Sequence, residues 1–167
     1  EAIPEGNYDD ENMKSTVVPF RNGIMLAVAC GLAESRGLGH VMIANHSGDH
    51  AIYPDCRPAF VRAMSSAMSA GTYDGITVMA PYTNVSKTEI ARHGARLGLN
   101  YAETYSCYKG GEKHCGKCGT CRERIEALHD AGIAVLVVDG VVYADAQARR
   151  HHGIGRRDVH RGIARVG

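Results

Sequence analysis

Hydrophobic and polar positions fall in blocks along the chain. Residues 1–15 are polar and acidic, with Gly6 and Asn7 as turn formers, and predict a loop. Pro19 stands where a helix can begin. Residues 22–35, NGIMLAVACGLAES, are a nearly continuous apolar helical run. A helix that is apolar all round is expected to be buried, and Gly37 and Gly39 end it. HVMIAN (40–45) is short and carries β-branched residues, which predicts a buried strand. HSGDHAIYPDCRP (46–58) is a polar loop, residues 59–70 form an amphipathic helix ended by Gly71, and ITVMAP (76–81) is a second buried strand. Ser86 and Glu89 make an S-x-x-E capping box that opens a helix over SKTEIARHGARLG. Another helix is expected at 122–131. Residues 134–145, AVLVVDGVVYAD, are two Val-rich runs around Asp139-Gly140, the pattern of a hairpin.

Short strands alternating with helices predict an α/β fold with a parallel sheet. Functional loops in such folds follow the carboxyl ends of the strands. HSGDHAIYPDCR and APYTNVSK both hold that position. The last stretch, 146–167, changes composition sharply: six Arg, three His, four Gly and no Lys. Residues 134–167 therefore read as an atypical tail, hairpin-like and then Arg/His/Gly-rich, the latter part expected to be disordered.

Composition narrows the class. The chain has 167 residues, 44% hydrophobic and 22% charged, as in a globular domain with a real core. No apolar run approaches the ~20 residues of a membrane span, and no signal peptide opens the sequence, so a cytoplasmic protein is expected. Thiols stay reduced in that compartment, and clustered cysteines there point to metal or catalysis. The net charge of +1 gives no general attraction to nucleic acid.

Four of the six cysteines lie in CYKGGEKHCGKCGTC: Cys107, Cys115, Cys118 and Cys121, spaced C-x7-C-x2-C-x2-C. Cysteines three apart turn both sulfurs toward one point, in a tight knuckle or on the first turn of a helix. Gly116 and Gly119 allow the tight backbone, and Gly110 and Gly111 let the longer loop fold back. Four thiolates suit a tetrahedral zinc with no open position, hence a structural ion. An iron–sulfur cluster or redox thiols are the rival readings. Lys109, Lys113, Lys117 and Arg122 are placed to offset the excess negative charge. Cys30, in the apolar helix, is expected to be a core residue.

Several polar residues are candidates for binding. Arg21 and Asn22, at the start of the apolar helix, could grip a phosphate with help from the helix N-terminus, or simply cap the helix. In YPDCRPAF (53–60), Asp55 could accept N–H groups of a guanine-like base and Arg57 could hold a carboxylate bidentately. Cys56 beside Arg57 could be an activated nucleophile, though no motif demands it. Asp49 and His50 could bind metal or phosphate, or make an ordinary Asx-type loop bond. Lys87 could meet a phosphate or be a solvated lysine on a capped helix.

Taken together, PEG, VPFRN, GDHAIYPDCRPAF, SKTEI, SCYKGGEKHCGKCGTCRER and EALHDAGI resemble the 7-cyano-7-deazaguanine synthase family over roughly residues 3–133. The resemblance implies a Rossmann-like parallel sheet of the adenine-nucleotide α-hydrolase (PP-loop) type with a small zinc-binding subdomain. It implies an ATP- and Mg2+-dependent ligase that joins 7-carboxy-7-deazaguanine and ammonia into a nitrile, acting as a homodimer. It places zinc on Cys107, Cys115, Cys118 and Cys121. It places Tyr53, Asp55 and Arg57 at the substrate end and Arg21 and Asn22 at the nucleotide end. One family feature is missing: no Ser-Gly-Gly-x-Asp-Ser loop for the ATP pyrophosphate occurs in the sequence. Either the sequence is a fragment, or a partner chain supplies that loop, or the activity is lost. The alternatives are a non-catalytic zinc-stabilised deazapurine-binding module, a relative that transfers an activated deazaguanine to another acceptor, and a nucleic-acid binder. Low net charge and few aromatics weigh against the last.

Overall fold

A computed structural model describes residues 2–8, 11–133, 135–138 and 141–144. The chain divides into two compact units, one of Thr16–Ser86 and one combining Glu1–Ser15 with Lys87–Gly167.

The Thr16–Ser86 unit is α/β. It contains α1 (Arg21–Ser35), β1 (His40–Met42), α2 (Pro58–Ala70) and β2 (Thr77–Met79). The strands pair in parallel, His40 opposite Thr77 and Met42 opposite Met79. Both are shorter than their apolar runs. One more bond, Ile43 N–H to the Met79 carbonyl, extends the pairing before Asn45 and His46 turn to side-chain partners. Leu26, Cys30 and Ala33 of α1 pack with Met68 of α2 and the fully buried Ile76, and Val41, Ile43, Phe60, Met64 and Val78 close around them. Burying one such aliphatic side chain contributes about 1.5–3 kcal/mol.

The expectation that α1 is buried all round is corrected. Its buried face carries Gly23, Leu26, Cys30 and Ala33. Ile24, Met25, Val28 and Leu32, on the opposite face, are 50–69% exposed. Two strands and one neighbouring helix cover only one side of an apolar cylinder. The same geometry leaves Met42 of the predicted buried strand exposed.

Helix boundaries follow local chemistry. Pro19 lies just outside α1, and Phe20 takes the left-handed conformation, φ 56°, as its N-cap. The Phe20 ring meets Phe60 edge-on at 5.7 Å and covers Gly23, where any Cβ would overlap it. At the other end, Gly37 N–H bonds the Glu34 carbonyl and Leu38 N–H bonds that of Ala33, a Schellman motif that needs the positive φ of Gly37. Glu11–Ser35 has the length and composition of a membrane-spanning stretch, with mean hydropathy 1.5, contrary to the expectation of no such run. Its regular part, α1, has 15 residues. At the α-helical rise that is about 22 Å, short of the ~30 Å hydrocarbon core.

The other unit holds α3 (Lys87–Arg96), α4 (Gly119–Asp130) and the antiparallel pair β3 (Val135–Val138) and β4 (Val141–Ala144). The pair matches the expected hairpin strands. Its Asp139-Gly140 turn and the Arg/His/Gly-rich 146–167 lie outside the described residues. Residues Glu11–Thr16, expected to be loop, form a 3-10 turn whose Met13 is buried. The Tyr101 hydroxyl donates to the Ala91 carbonyl of α3 at 2.7 Å, and Arg124 of α4 donates to the Tyr101 carbonyl at 2.5 Å. Gly94 makes this possible, because a Cβ there would overlap the Tyr101 hydroxyl and stand 3.1 Å from Leu99 Cδ2. Gly94→Ala gains ~1 kcal/mol of helix propensity. It forfeits about 1 kcal/mol of hydrogen bond and adds 1–3 kcal/mol of overpacking. The expected net result is a loss of about 1–3 kcal/mol in chemical denaturation; an unchanged or raised midpoint would refute it.

Candidate metal centre and polar loop cluster

The cysteine loop folds as a knuckle closed by a helix. Cys118 is the N-cap of α4, and its carbonyl accepts the N–H groups of Cys121 and Arg122, both at 3.0 Å. Cys118 and Cys121 therefore sit one turn apart at a helix N-terminus, where partial positive charge favours thiolates. Gly110, Gly111 and Gly116, all at positive φ, bring Cys107 and Cys115 back toward them. The four sulfurs lie within 4.8 Å of one another. Cys115 and Cys121 are 3.9 Å apart. A tetrahedron of sulfurs around zinc at 2.3 Å has an edge of about 3.8 Å, so the donor set fits. Cys107, Cys118 and Cys121 are buried, and all four are free thiols.

Lys109 is paired with Glu5 at 2.6 Å, and Arg122 donates to Asn7 at 3.1 Å. Glu5, and then the charges of Cys115 and Cys118, raise the Lys109 ammonium, so this lysine feels the sulfurs as expected. The sulfurs also receive backbone amides: Cys115 N–H to Cys107 at 3.4 Å, and Lys117 and Cys118 N–H to Cys115 at 3.5 and 3.3 Å. The Thr120 hydroxyl stands 3.2 Å from the Cys118 sulfur. Burial alone would push Cys118 up, but Thr120 and the amides of Tyr108 and Cys121 outweigh it and bring the thiol down to about 6. Burial, then the neighbouring Cys118 thiolate, push Cys121 up. His114 is buried, stacks on Tyr105 at 4.7 Å and lies 3.9 Å from the Cys121 sulfur. The N-terminal segment also packs here. Glu5 bridges to Cys118, Ile3 joins the cysteine cluster, and Met13 fills the space beside Gly119. The spacing of the cysteines reveals the thiol cluster but not these neighbours. Thr120 had one signal, its position between two cysteines of the cluster.

The polar loops gather in the Thr16–Ser86 unit. Asp55 accepts the Asn22 backbone N–H at 2.8 Å, so it caps α1 from 33 residues away. The Asn22 side chain donates to the Asp55 carbonyl at 3.3 Å and to the Cys56 sulfur at 3.2 Å. Asn22, expected at the nucleotide end, and Asp55, expected at the substrate end, are thus in direct contact. Arg21 is exposed at the first turn of α1. Tyr53 shares a hydrogen bond with Thr16 at 2.7 Å. Arg57 Nε donates to the His50 carbonyl at 2.9 Å. Lys87 belongs to the other unit, where it is ion-paired with Glu123 and its ammonium lies 5.4 Å from the centre of the Tyr8 ring. Asn45 and Thr83, which the sequence did not single out, are buried and bonded to each other, and Asn45 also holds the Cys56 carbonyl at 2.6 Å.

One candidate, Cys56, is corrected, and Asp49 takes the loop-bond alternative. Cys56 is not an activated nucleophile. Burial, then the charges of Asp49 and Asp55, raise its thiol to about 12. Asp49 is a loop-building residue: one carboxylate oxygen accepts the His46 N–H at 2.9 Å and the other pairs with His46 Nε2 at 3.3 Å.

Known proteins resemble this chain over most of its length. The family model for queuosine biosynthesis protein QueC matches residues 1–132. The chain belongs to this family. A 7-cyano-7-deazaguanine synthase of Porphyromonas gingivalis is 72% identical over 131 residues, which is 78% of this chain and 60% of that protein. Synthases of the same name from Desulfotalea psychrophila and Methanoregula boonei are 54% and 52% identical, covering 81% and 79% of this chain and 62% and 61% of theirs. The chain therefore spans about three-fifths of the length of the curated relatives it matches. The α/β fold, the parallel pairing and the thiolate cluster agree with this family.

Proposed function

We propose that the chain is the zinc-holding and base-binding part of a ligase that converts 7-carboxy-7-deazaguanine and ammonia into 7-cyano-7-deazaguanine with ATP. The observation that carries this reading is the four-thiolate knuckle in a chain 72% identical to a synthase of that name. A carboxylate is a poor electrophile until one oxygen becomes a good leaving group. Adenylation supplies that, ammonia gives the amide, and a second activation with loss of water gives the nitrile. Mg2+ would offset the phosphate charge. Zinc on Cys107, Cys115, Cys118 and Cys121 is structural here, because four thiolates leave it no open position.

In this reading Tyr53, Asp55 and Arg57 hold the deazaguanine, and Arg21, Asn22 and Lys87 serve the nucleotide. An ionised carboxylate accepts about four hydrogen bonds, so Asp55 retains acceptor capacity for base N–H groups beyond the one from Asn22. Arg57 uses only Nε internally among the bonds described, and its other N–H groups suit the substrate carboxylate. A complete PP-loop sheet, a homodimer and a cytoplasmic location belong to the same proposal. A second reading is a non-catalytic deazapurine-binding module, in which the same knuckle and loop hold a base without turnover.

The test is mass-spectrometric detection of ATP-dependent nitrile formation by the chain, alone and with a polypeptide carrying a Ser-Gly-Gly-x-Asp-Ser motif. Turnover only in the mixture is expected. Binding of the acid without turnover in any mixture would favour the module, and neither binding nor turnover would overturn both readings.

A further inference from the structure

We propose that Thr120 is a positioning residue of the metal centre, its hydroxyl donating to the Cys118 thiolate and holding that sulfur on the ion. The inference rests on the metal-site reading above and adds a residue to it. Thr120 is buried, on the first turn of α4, directly beside the ligand Cys121. A buried hydroxyl takes a partner, and the one found is the Cys118 sulfur, at 3.2 Å.

Cys118 is a sulfur that needs such donors. It is fully buried, like Cys121, and the Thr120 hydroxyl joins the amides of Tyr108 and Cys121 around it, whereas Cys115 is half-buried. Water cannot share the charge of a fully buried thiolate, so fixed donors must. A hydroxyl aimed at it forms a charge-assisted bond, shorter and stronger than a neutral one. That bond has two consequences. It fixes the sulfur's orientation, so the ion meets a prearranged ligand. It also draws electron density from the sulfur, which makes the bound thiolate less open to protons, oxidants and competing chelators. Threonine suits the position because its branched side chain has restricted rotamers, so the hydroxyl is held in place. Partners of this kind alter metal affinity by about 10–100-fold.

The experiment reads the metal itself. The full chain is loaded with Co2+, whose sulfur-to-metal charge-transfer bands report thiolate electron density, and a chromogenic chelator measures affinity and release rate. Thr120→Val removes the hydroxyl at nearly constant shape. Thr120→Ala removes it without overpacking, should valine disturb the fold. Both should bind Co2+ about tenfold more weakly, release it faster, and shift the charge-transfer band to longer wavelength. Thr120→Ser should restore all three. A merely space-filling Thr120 would leave the band in place and be mimicked by valine rather than serine. Unchanged band and affinity in the Val and Ala chains, or no rescue by serine, overturns the proposal while leaving the metal site standing. If the unaltered chain takes up no Co2+ with tetrathiolate bands, the metal reading falls first.

Discussion

Cys118→Ser should empty the metal centre and unfold the 107–121 knuckle. Metal content measured on the purified chain should drop from about one ion per chain to none. The knuckle has little else to hold it. Its apolar cluster is essentially the cysteines themselves with Ile3. Binding free energies of structural zinc in small domains run to about 10–16 kcal/mol, and nearly all of that is folding free energy. The unfolding should reach beyond the loop, because Cys118 also starts α4 and bridges to Glu5. Amide exchange should therefore rise through residues 2–8 and the first turn of α4 as well. Full metal occupancy and unchanged exchange in the serine variant would exclude a four-ligand site.

Asp55→Ala should lower stability by about 2 kcal/mol, because it removes the acceptor at the start of α1 and leaves the Asn22 N–H without its partner. For a unit of this size that is roughly a 10 °C fall in melting temperature. A second readout separates charge from capping. The Asp55 carboxylate helps to raise Cys56, so either Asp55→Ala or Asp55→Asn should lower that thiol from about 12 toward its ordinary value. Burial, the larger cause, remains in both. Asp55→Asn keeps an oxygen acceptor and should retain most of the stability. Thiol labelling against pH, beside thermal melts of both variants, checks the pair. A melt of Asp55→Ala within about 1 °C of the unaltered chain would sink the capping role.

What the sequence revealed follows from the range of the forces involved. The thiol cluster was legible because its spacing is local: three of the four cysteines lie within seven residues on a knuckle and one helical turn. Helix ends were legible for the same reason, since Gly37 satisfies the last carbonyls of α1 from two residues beyond it. The exposure of α1 was not legible. Apolar composition says that a surface tends to be covered, not how much sheet there is to cover it, and here two strands cover one face. The Asn22–Asp55 contact was not legible either, because it joins loops 33 residues apart. Read separately, the two loops became two ends of a site; folded, they share hydrogen bonds. Cys56 shows the same limit. Its neighbour Arg57 suggested activation, but burial and two carboxylates close in space decide the opposite.

The division of the chain into a Thr16–Ser86 unit set between the two parts of the other carries a consequence for its birth on the ribosome. Translation proceeds at about 5–20 residues per second, with domains forming as they emerge. The inserted unit has its whole sequence by Ser86. Ile3, Glu5 and Asn7 are made before the inserted unit, yet their partners Lys109, Cys118 and Arg122 are made more than a hundred residues later. For the several seconds between, residues 2–8 wait for these partners. Closing the knuckle on residues 2–8 is then a late event that joins the two parts of this unit, so the arrival of residues 107–122, rather than the order of the early elements, sets when the unit is complete.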